Sequence, residues 1–446
     1  MNQKLFSEFK KSTDQEVWDQ IHKDLEGMTD KSILSWKSLD GITTQPFYDR
    51  DISKKKKLLN SFPEQWKTSH TITVKEDIKL AFKSCLAAKN QDIDVILLRL
   101  SSSVSSITEI VDIFAEINLT FYVIFEFKPP IEILEKLDLR NWIFLFDPIT
   151  KIAEKGNWIK DEDSDLLAWS RLIHSQKVTS SFYVDNRICQ NAGATIPQQL
   201  SYALSQAVDY LSRINSSKSE VEVIFHLAVG SNYFFEIAKI QSLKNVFSEL
   251  ISAYDFKITH KIIAEPSERN ITLQDYNVNM LRSTTAMMAG ILGGADILNN
   301  LPYDNVFNNP NKFGDRIAQN QLLILKNESF FDQVTNPAAG SYYIEQLTHE
   351  LNELTISSFK EIENKSGFLN LLMKGKIQYN ISKSAQKEQD LFDTGALVLV
   401  GTNRYQDFEA SKTKGTRIVK NLDVKTLIDP IKKIRLSEKI EQEYEK

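Results

Sequence analysis

Few side chains in this 446-residue sequence have types and spacings suited to chemistry. Its histidines are His22, His70, His174, His226, His260 and His349, and none forms an HxH or HxxxH pair of metal-ligand spacing. His226 and His260 fall in consecutive strand-like runs, so one reading is a metal pair inside a barrel. Hydrogen-bonded core histidines are the preferred reading. Cys85 and Cys189 lie far apart with no CxxC spacing, so neither a disulfide scaffold nor a metal knuckle is expected. Cys189 stands in Tyr183–Thr195 (YVDNRICQNAGAT), but no neighbouring histidine marks it as a nucleophile. Asp161, Glu162, Asp163 and Asp165 read as a solvated helix start favoured by the helix dipole. Glu265, ending a strand-like run, is the acid to watch, because barrel enzymes place catalytic groups at strand C-termini. Its plainer reading is a helix-start or loop carboxylate before Pro266. No GxxxxGK[ST] loop occurs, and Gly290–Gly294 (GILGG) follows a helix, which suits a turn into a strand better than a dinucleotide fingerprint.

A repeating strand–helix rhythm must position these groups. Strand-like runs are predicted at Ser69–Val74, Ile93–Leu100, Thr120–Phe127, Trp142–Phe146, Val178–Val184, Val221–Val229, Lys257–Ala264 and Ala295–Leu298. Helical patterns alternate with them near 75–89, 107–118, 130–138, 162–175, 197–213, 232–253, 271–291 and 312–329. Runs such as Val95-Ile-Leu-Leu98 and Tyr122-Val-Ile-Phe125 lack polar breaks, as strands covered on both faces do. Eight such units predict a (β/α)8 TIM barrel of the α/β class over residues 66–365. A doubly wound open sheet uses the same alternation and stays the alternative at this point.

Residues 1–65 read as an extended N-terminal arm. Thr13-Asp-Gln-Glu16 is a capping box ahead of Trp18, Ile21 and Leu25. The aromatic groups further on suggest that the arm lies on another surface, its own barrel or a partner's. Residues 366–446 read as a C-terminal helical extension. Before it, Ile344, Leu347, Leu351 and Leu354 predict a helix over 343–363. Within it, helix is predicted near 376–389, a short buried strand at Ala396–Val400, and a fraying charged tail from 431.

The formal charge is −5, from 54 basic and 59 acidic residues, so no general attraction to nucleic acid or anionic lipid is expected. Lys54–Lys57 is the only dense basic cluster and reads as a solvated loop. No apolar run approaches bilayer length and the first residues carry no apolar signal core, so a soluble, cytoplasmic protein is expected.

Asn191–Thr195 with Gln199–Ala203, Ile271–Asp275, Arg316–Asn320 and Asn336–Glu345, taken together and in this order, resemble the methylmalonyl-CoA mutase family. Asn191-Ala-Gly-Ala-Thr195 with Gln199-Leu-Ser-Tyr-Ala203 is similar to its EAGAT…QELAY segment, and Ile271–Asp275 with Asn279 and Arg282 to LTAQD…NxxR. Arg316–Asn320 and Asn336–Glu345 resemble RIARN and DPxGGSYYxE. Trp36–Gly41 and Pro46, Phe47 and Tyr48 resemble the arm that wraps a sister subunit. The resemblance implies acyl-CoA carbon-skeleton rearrangement by adenosylcobalamin radical chemistry, with the protein holding a thioester carbonyl by hydrogen bonds.

The family's site residues are largely replaced. Ile188 stands where GYHxxEAGA has histidine, with Arg187 at its tyrosine. Ile263 and Glu265 stand at the histidine and glutamine of HxQTSG, and Gly294 and Asn299 at the histidines of GHTQSLHTN. Isoleucine donates no hydrogen bond, and losing one preorganised donor costs roughly 2.7–4 kcal/mol of barrier. No DxHxxG cobalamin loop is present. The resemblance therefore implies a small, non-catalytic subunit with no catalytic, cofactor-binding or metal-ligating residue of its own. A large (alpha) subunit would hold adenosylcobalamin and acyl-CoA, and Trp36, Pro46, Phe47 and Tyr48 would meet that partner, a methylmalonyl-CoA mutase or a sister acyl-CoA mutase. The alternative is an active barrel served by a separate cobalamin-binding subunit.

Overall fold

The computed structural model describes residues 8–10, 12–25, 34–49, 62–104, 106–137, 139, 141–214, 220–407 and 425–444. The chain divides into two compact units, 1–48 and 49–446. In the first, the helix Asp14–Asp24 opens on the expected capping box. The Glu16 amide donates to Thr13 Oγ1 at 3.2 Å, and the Thr13 amide to the Glu16 carboxylate at 2.8 Å. Trp36–Lys37 pairs antiparallel with Thr43–Thr44, and the Trp18 and Phe47 rings lie 5.5 Å apart.

The second unit is built on eight parallel strands: β1 (Lys67–Val74), β2 (Val95–Leu100), β3 (Thr120–Phe125), β4 (Trp142–Leu145), β5 (Phe182–Asp185), β6 (Glu220–Val229), β7 (Lys257–Pro266) and β8 (Ile297–Asn299). Each pairs with the next in sequence except β4 and β5, which are joined by a single bridge, and β8 returns to β1. The seam between β4 and β5 is the narrowest join. There the Phe144 amide donates to the Thr179 carbonyl at 3.0 Å and the Ser181 amide to the Phe144 carbonyl at 3.4 Å. The sheet thus closes into a barrel, and the open-sheet alternative falls.

Alternation along each strand divides its side chains between the interior and the helical layer. Val95, Leu97, Tyr122, Ile124, Leu145, Tyr183, Ile224, Ile263 and Ile297 form one buried cluster. Their sequence neighbours pack against other groups. Phe121 meets Trp142 at 5.0 Å, Phe182 meets Trp169 at 5.1 Å, and Phe225 meets Phe247 at 4.9 Å. Each such fully buried side chain stabilises the fold by roughly 1.5–3 kcal/mol. Among the described residues, no helix is long and apolar enough to cross a membrane.

Most long helices fall within a few residues of their predicted spans, for example Ile196–Leu211, Tyr233–Ile251, Lys312–Asn327 and Tyr342–Glu363, but the one predicted over 271–291 begins only at Val278. Four short ones escape the periodicity because each is too brief to show it: Pro148–Lys155, Arg187–Asn191, Gly367–Met373 and Glu438–Tyr444. Gly294 does end a helix in a turn before β8, with a φ of +88° that glycine adopts without a Cβ penalty.

Other expectations are corrected. Asp165 is not a solvated carboxylate. It is fully buried and accepts the Ile159 amide at 2.7 Å, tying down the loop ahead of its helix. Ala396–Val400 forms no strand. Leu399 alone is buried, against Phe392 and Leu436, while Val398 and Val400 stay exposed. Over its described residues the tail from 431 does not fray either, since Ile431, Arg435, Leu436 and Ser437 are buried.

Candidate functional site at the barrel mouth

The strand C-termini converge on a buried polar network. Tyr183 and Asp185 share the inward face of β5, and Arg187 follows at the start of the next short helix. The Arg187 guanidinium donates from Nε to Asp185 Oδ1 at 2.8 Å and from Nη2 to Oδ2 at 2.6 Å. Its Nη1 donates to both oxygens of Glu265 at the end of β7, at 2.8 and 3.0 Å. From β8, Asn299 Nδ2 donates to Glu265 Oε2 at 2.7 Å, while its Oδ1 accepts from Thr71 of β1 at 3.1 Å. From β6, His226 Nδ1 lies 2.7 Å from the Tyr183 hydroxyl, and Nε2 faces Glu265 Oε2 at 3.5 Å.

One cation therefore sits between two carboxylates in a buried site. Burial alone would raise the carboxyl pKa values, but the Arg187 charge and its hydrogen bonds hold Asp185 and Glu265 well below the ordinary range. Burial opposes the guanidinium charge, and the two carboxylates more than restore it. His226 moves the other way. Burial, then the charge of Arg187, lower its pKa despite the nearby acids, so the ring is neutral at pH 7. Burial and the charge of Asp185 push Tyr183 far above the usual phenol range, so its hydroxyl stays protonated.

A second layer extends the network towards β2, β3 and β4. Lys151 Nζ bonds Glu126 Oε2 at 2.9 Å, and Arg99 Nη1 lies 3.6 Å from Oε1. Asp147 caps the Pro148–Lys155 helix through the Thr150 amide, accepts the Asp185 amide at 2.9 Å, and takes the Tyr210 hydroxyl at 2.6 Å. Burial pushes its carboxyl up to about 6 in spite of those donors.

Chemically, this mouth is closed on itself. Arg187 directs Nε and both terminal nitrogens at the chain's own carboxylates, and Asn299 does the same with its amide. No donor among them is left aimed at a thioester carbonyl, which an acyl-transfer or rearrangement site needs preorganised.

The five positions singled out from sequence are scattered. Only Glu265 and Asn299 meet, and Glu265 is neither a loop carboxylate nor a helix start but a buried strand-end ion-pair partner. Ile263 lies two residues deeper in the interior cluster, and Ile188 is buried in the Arg187–Asn191 helix. Gly294 sits at the opposite end of β8, where an added Cβ would lie 2.7 Å from the Phe62 ring. His226 and His260 do not form a metal pair. Register sets His226 beside Ile263 and His260 beside Val223, and the His260 ring packs on Phe247 at 5.4 Å. Among the described residues, no cluster of three His, Cys, Asp or Glu is placed to hold a metal ion. Sequence reasoning passed over Asp185 and Tyr183 as site residues. Their shared parity at a strand end was the available signal.

Fold and site together define a (β/α)8 barrel whose mouth polar groups are paired with one another. A profile of the methylmalonyl-CoA mutase family matches residues 163–445, more than half of the sequence, and the chain belongs to that family. A methylmalonyl-CoA mutase small subunit from Porphyromonas gingivalis is 28% identical over 91% of this chain and 72% of its own length. A methylmalonyl-CoA mutase of Cereibacter sphaeroides is 30% identical over 49% of this chain. A probable large subunit of Mycobacterium bovis is 28% identical over 51% of it. The aligned region spans 32% of each of these last two proteins.

Proposed function

We propose that this chain is the small, non-catalytic subunit of a heterodimeric methylmalonyl-CoA mutase. Its large partner would bind adenosylcobalamin and acyl-CoA and interconvert succinyl-CoA and methylmalonyl-CoA. The observation carrying this reading is the Arg187 guanidinium, held by Asp185 and Glu265 where an active mouth would present donors to substrate. Family membership, and the likeness to a small subunit over 91% of this chain, support it from the side of sequence.

Adenosylcobalamin, when bound in such a complex, supplies the radical. The residues at the centre of this mouth do not fit that group or its substrate, because Arg187 and Asn299 spend their donors on Asp185 and Glu265, so no step runs through them. The chain's part is to fold as a second barrel and brace the first. Residues 1–65 would reach the large subunit through Trp36, Pro46, Phe47 and Tyr48. Trp36 is 53% exposed, Pro46 is exposed, and Phe47 and Tyr48 are half-buried.

Co-purification tests the reading. This chain, co-expressed with a methylmalonyl-CoA mutase large subunit, should elute as a one-to-one complex, and removing it should lower the large subunit's stability or turnover. Turnover by this chain with a separate cobalamin-binding subunit, in the absence of a second barrel, would overturn it.

A further inference from the structure

The last described segment does something that neither the barrel nor the arm requires. Residues 425–437 run without regular secondary structure across the loops that follow β4, β5 and β7. The Leu427 and Ile428 amides donate to the Gly156 carbonyl at 2.9 and 3.1 Å, and the Ile431 amide to Ala153 at 2.8 Å. Further along, the Ile434 amide donates to Asn191 at 3.0 Å and the Leu436 amide to Arg269 at 3.0 Å. These acceptors all belong to elements that follow strand C-termini, so the strap runs along the mouth past the loops of β4, β5 and β7. Lys433 marks its midpoint. It pairs with Glu268 at 3.1 Å and also feels the charges of Arg187 and Glu154.

Resting on the non-catalytic reading above, we propose that residues 425–444 form a constitutive closure of the barrel mouth, which excludes acyl-CoA and any cofactor-bearing domain from this face. A moving lid needs few buried contacts, so that opening costs little. This strap has many. Ile428, Ile431 and Leu436 are buried, and Leu436 shares a small core with Phe392 and Leu399. Arg269, 1% exposed, donates to the Ile434 carbonyl at 2.7 Å and to Glu388 at 2.5 Å, bridging strap and the Lys376–Asp393 helix. The far end is pinned by the Arg435–Glu441 ion pair at 2.5 Å. Glu441 also accepts the Leu273 amide at 2.9 Å, and Arg435 donates to the Ile271 carbonyl at 3.0 Å. Backbone approaches backbone at Gly156, where a Cβ would stand 2.6 Å from the Ile428 carbonyl oxygen. In an active barrel of this kind, substrate and cofactor must come together at this face. Here the Arg187 network fills it, and the strap is docked on three of the loops that border it.

Hydrogen–deuterium exchange on the full-length chain, read by mass spectrometry with and without millimolar coenzyme A, tests the closure. Peptides spanning 425–437 should be slowed roughly a thousandfold relative to unstructured peptide, about 4 kcal/mol at 1.4 kcal/mol per decade, and coenzyme A should change nothing there. Exchange of the strap within seconds while β2 and β6 stay protected would make it a lid and end the proposal. So would a saturable, coenzyme-A-dependent change in the strap or in the loops beneath it. Neither result depends on whether a large subunit is captured, so the closure and the subunit assignment fail separately.

Discussion

Replacing Arg187 by methionine keeps a long side chain in the mouth and removes the guanidinium that donates to both oxygens of Glu265. Asp185 and Glu265 would remain buried without the guanidinium that bonds both at 2.6–3.0 Å. Breaking a buried ion pair from one side costs about 3–5 kcal/mol, because the charge left behind keeps its desolvation penalty. Arg187→Met should therefore lower the stability of the chain by that amount at pH 7.5, read by equilibrium urea unfolding. The pH dependence separates this cause from lost packing. In the parent the two carboxyls titrate below their unfolded values, so their stabilisation is present above about pH 4 and lost as pH falls through the folded pKa values. In the variant burial dominates and raises those pKa values, so the penalty grows as pH rises through them. The gap between the two proteins should thus be widest near pH 7.5 and narrow towards pH 4.5. The double variant Arg187→Met/Glu265→Gln should recover roughly half of the loss or more, since removing both partners is often near neutral. A single-variant loss under about 1 kcal/mol, or a double variant as unstable as the single, would refute the account of the mouth as a self-satisfied ion network.

Other expected outcomes follow from the same geometry. Glu441→Gln should raise exchange in 425–437 at least tenfold while leaving β2 unaffected. Burial opposes the Glu441 charge, but Arg435 lowers its pKa, so in the parent this tether should weaken only as pH falls below about 4.5. Gly156→Val forces a side chain onto a φ of +74° and into the strap. It should cost about 1–3 kcal/mol and open the C-terminal segment to limited proteolysis. Burial pushes Cys85 and Cys189 both up to about 12, so neither thiol should react with a disulfide reagent at pH 8 until the chain is unfolded. Stoichiometric labelling of the native chain within minutes would contradict that. Under the proposed partnership, Trp36→Ala should weaken capture of the large subunit roughly tenfold or more, with no change in the barrel's unfolding midpoint. An unchanged affinity would remove Trp36 from the interface.

Local pattern by itself determined the elements of this protein and their order. Strands covered on both faces must be apolar throughout, so β2 and β3 announce themselves as Val95-Ile-Leu-Leu98 and Tyr122-Val-Ile-Phe125. Long helices such as Ile196–Leu211 repeat their buried side chains often enough for the 3.6-residue period to stand out, and the Thr13–Glu16 capping box is readable over four residues. That Ile188 and Ile263 can donate no side-chain hydrogen bond is likewise legible without coordinates, because isoleucine has no donor in any fold.

What fills the mouth was decided only by tertiary structure. Arg187 and Glu265 stand 78 residues apart, and no local period links them. The strand order sets the ends of β5 and β7 on either side of β6, within reach of one another, and burial then makes the ion pair obligatory. Asp165 shows the same limit. Its neighbours make it look like a solvated helix start, yet the fold turns it onto the Ile159 amide. The strap is the largest case. From 431 onward the residues are charged enough to suggest fraying, but Ile428, Ile431 and Leu436 are too few for any period, and their burial depends on loops from three distant units. A carboxylate's surroundings and an extended segment's docking site both depend on distant parts of the chain, and for these only the assembled barrel supplies the answer.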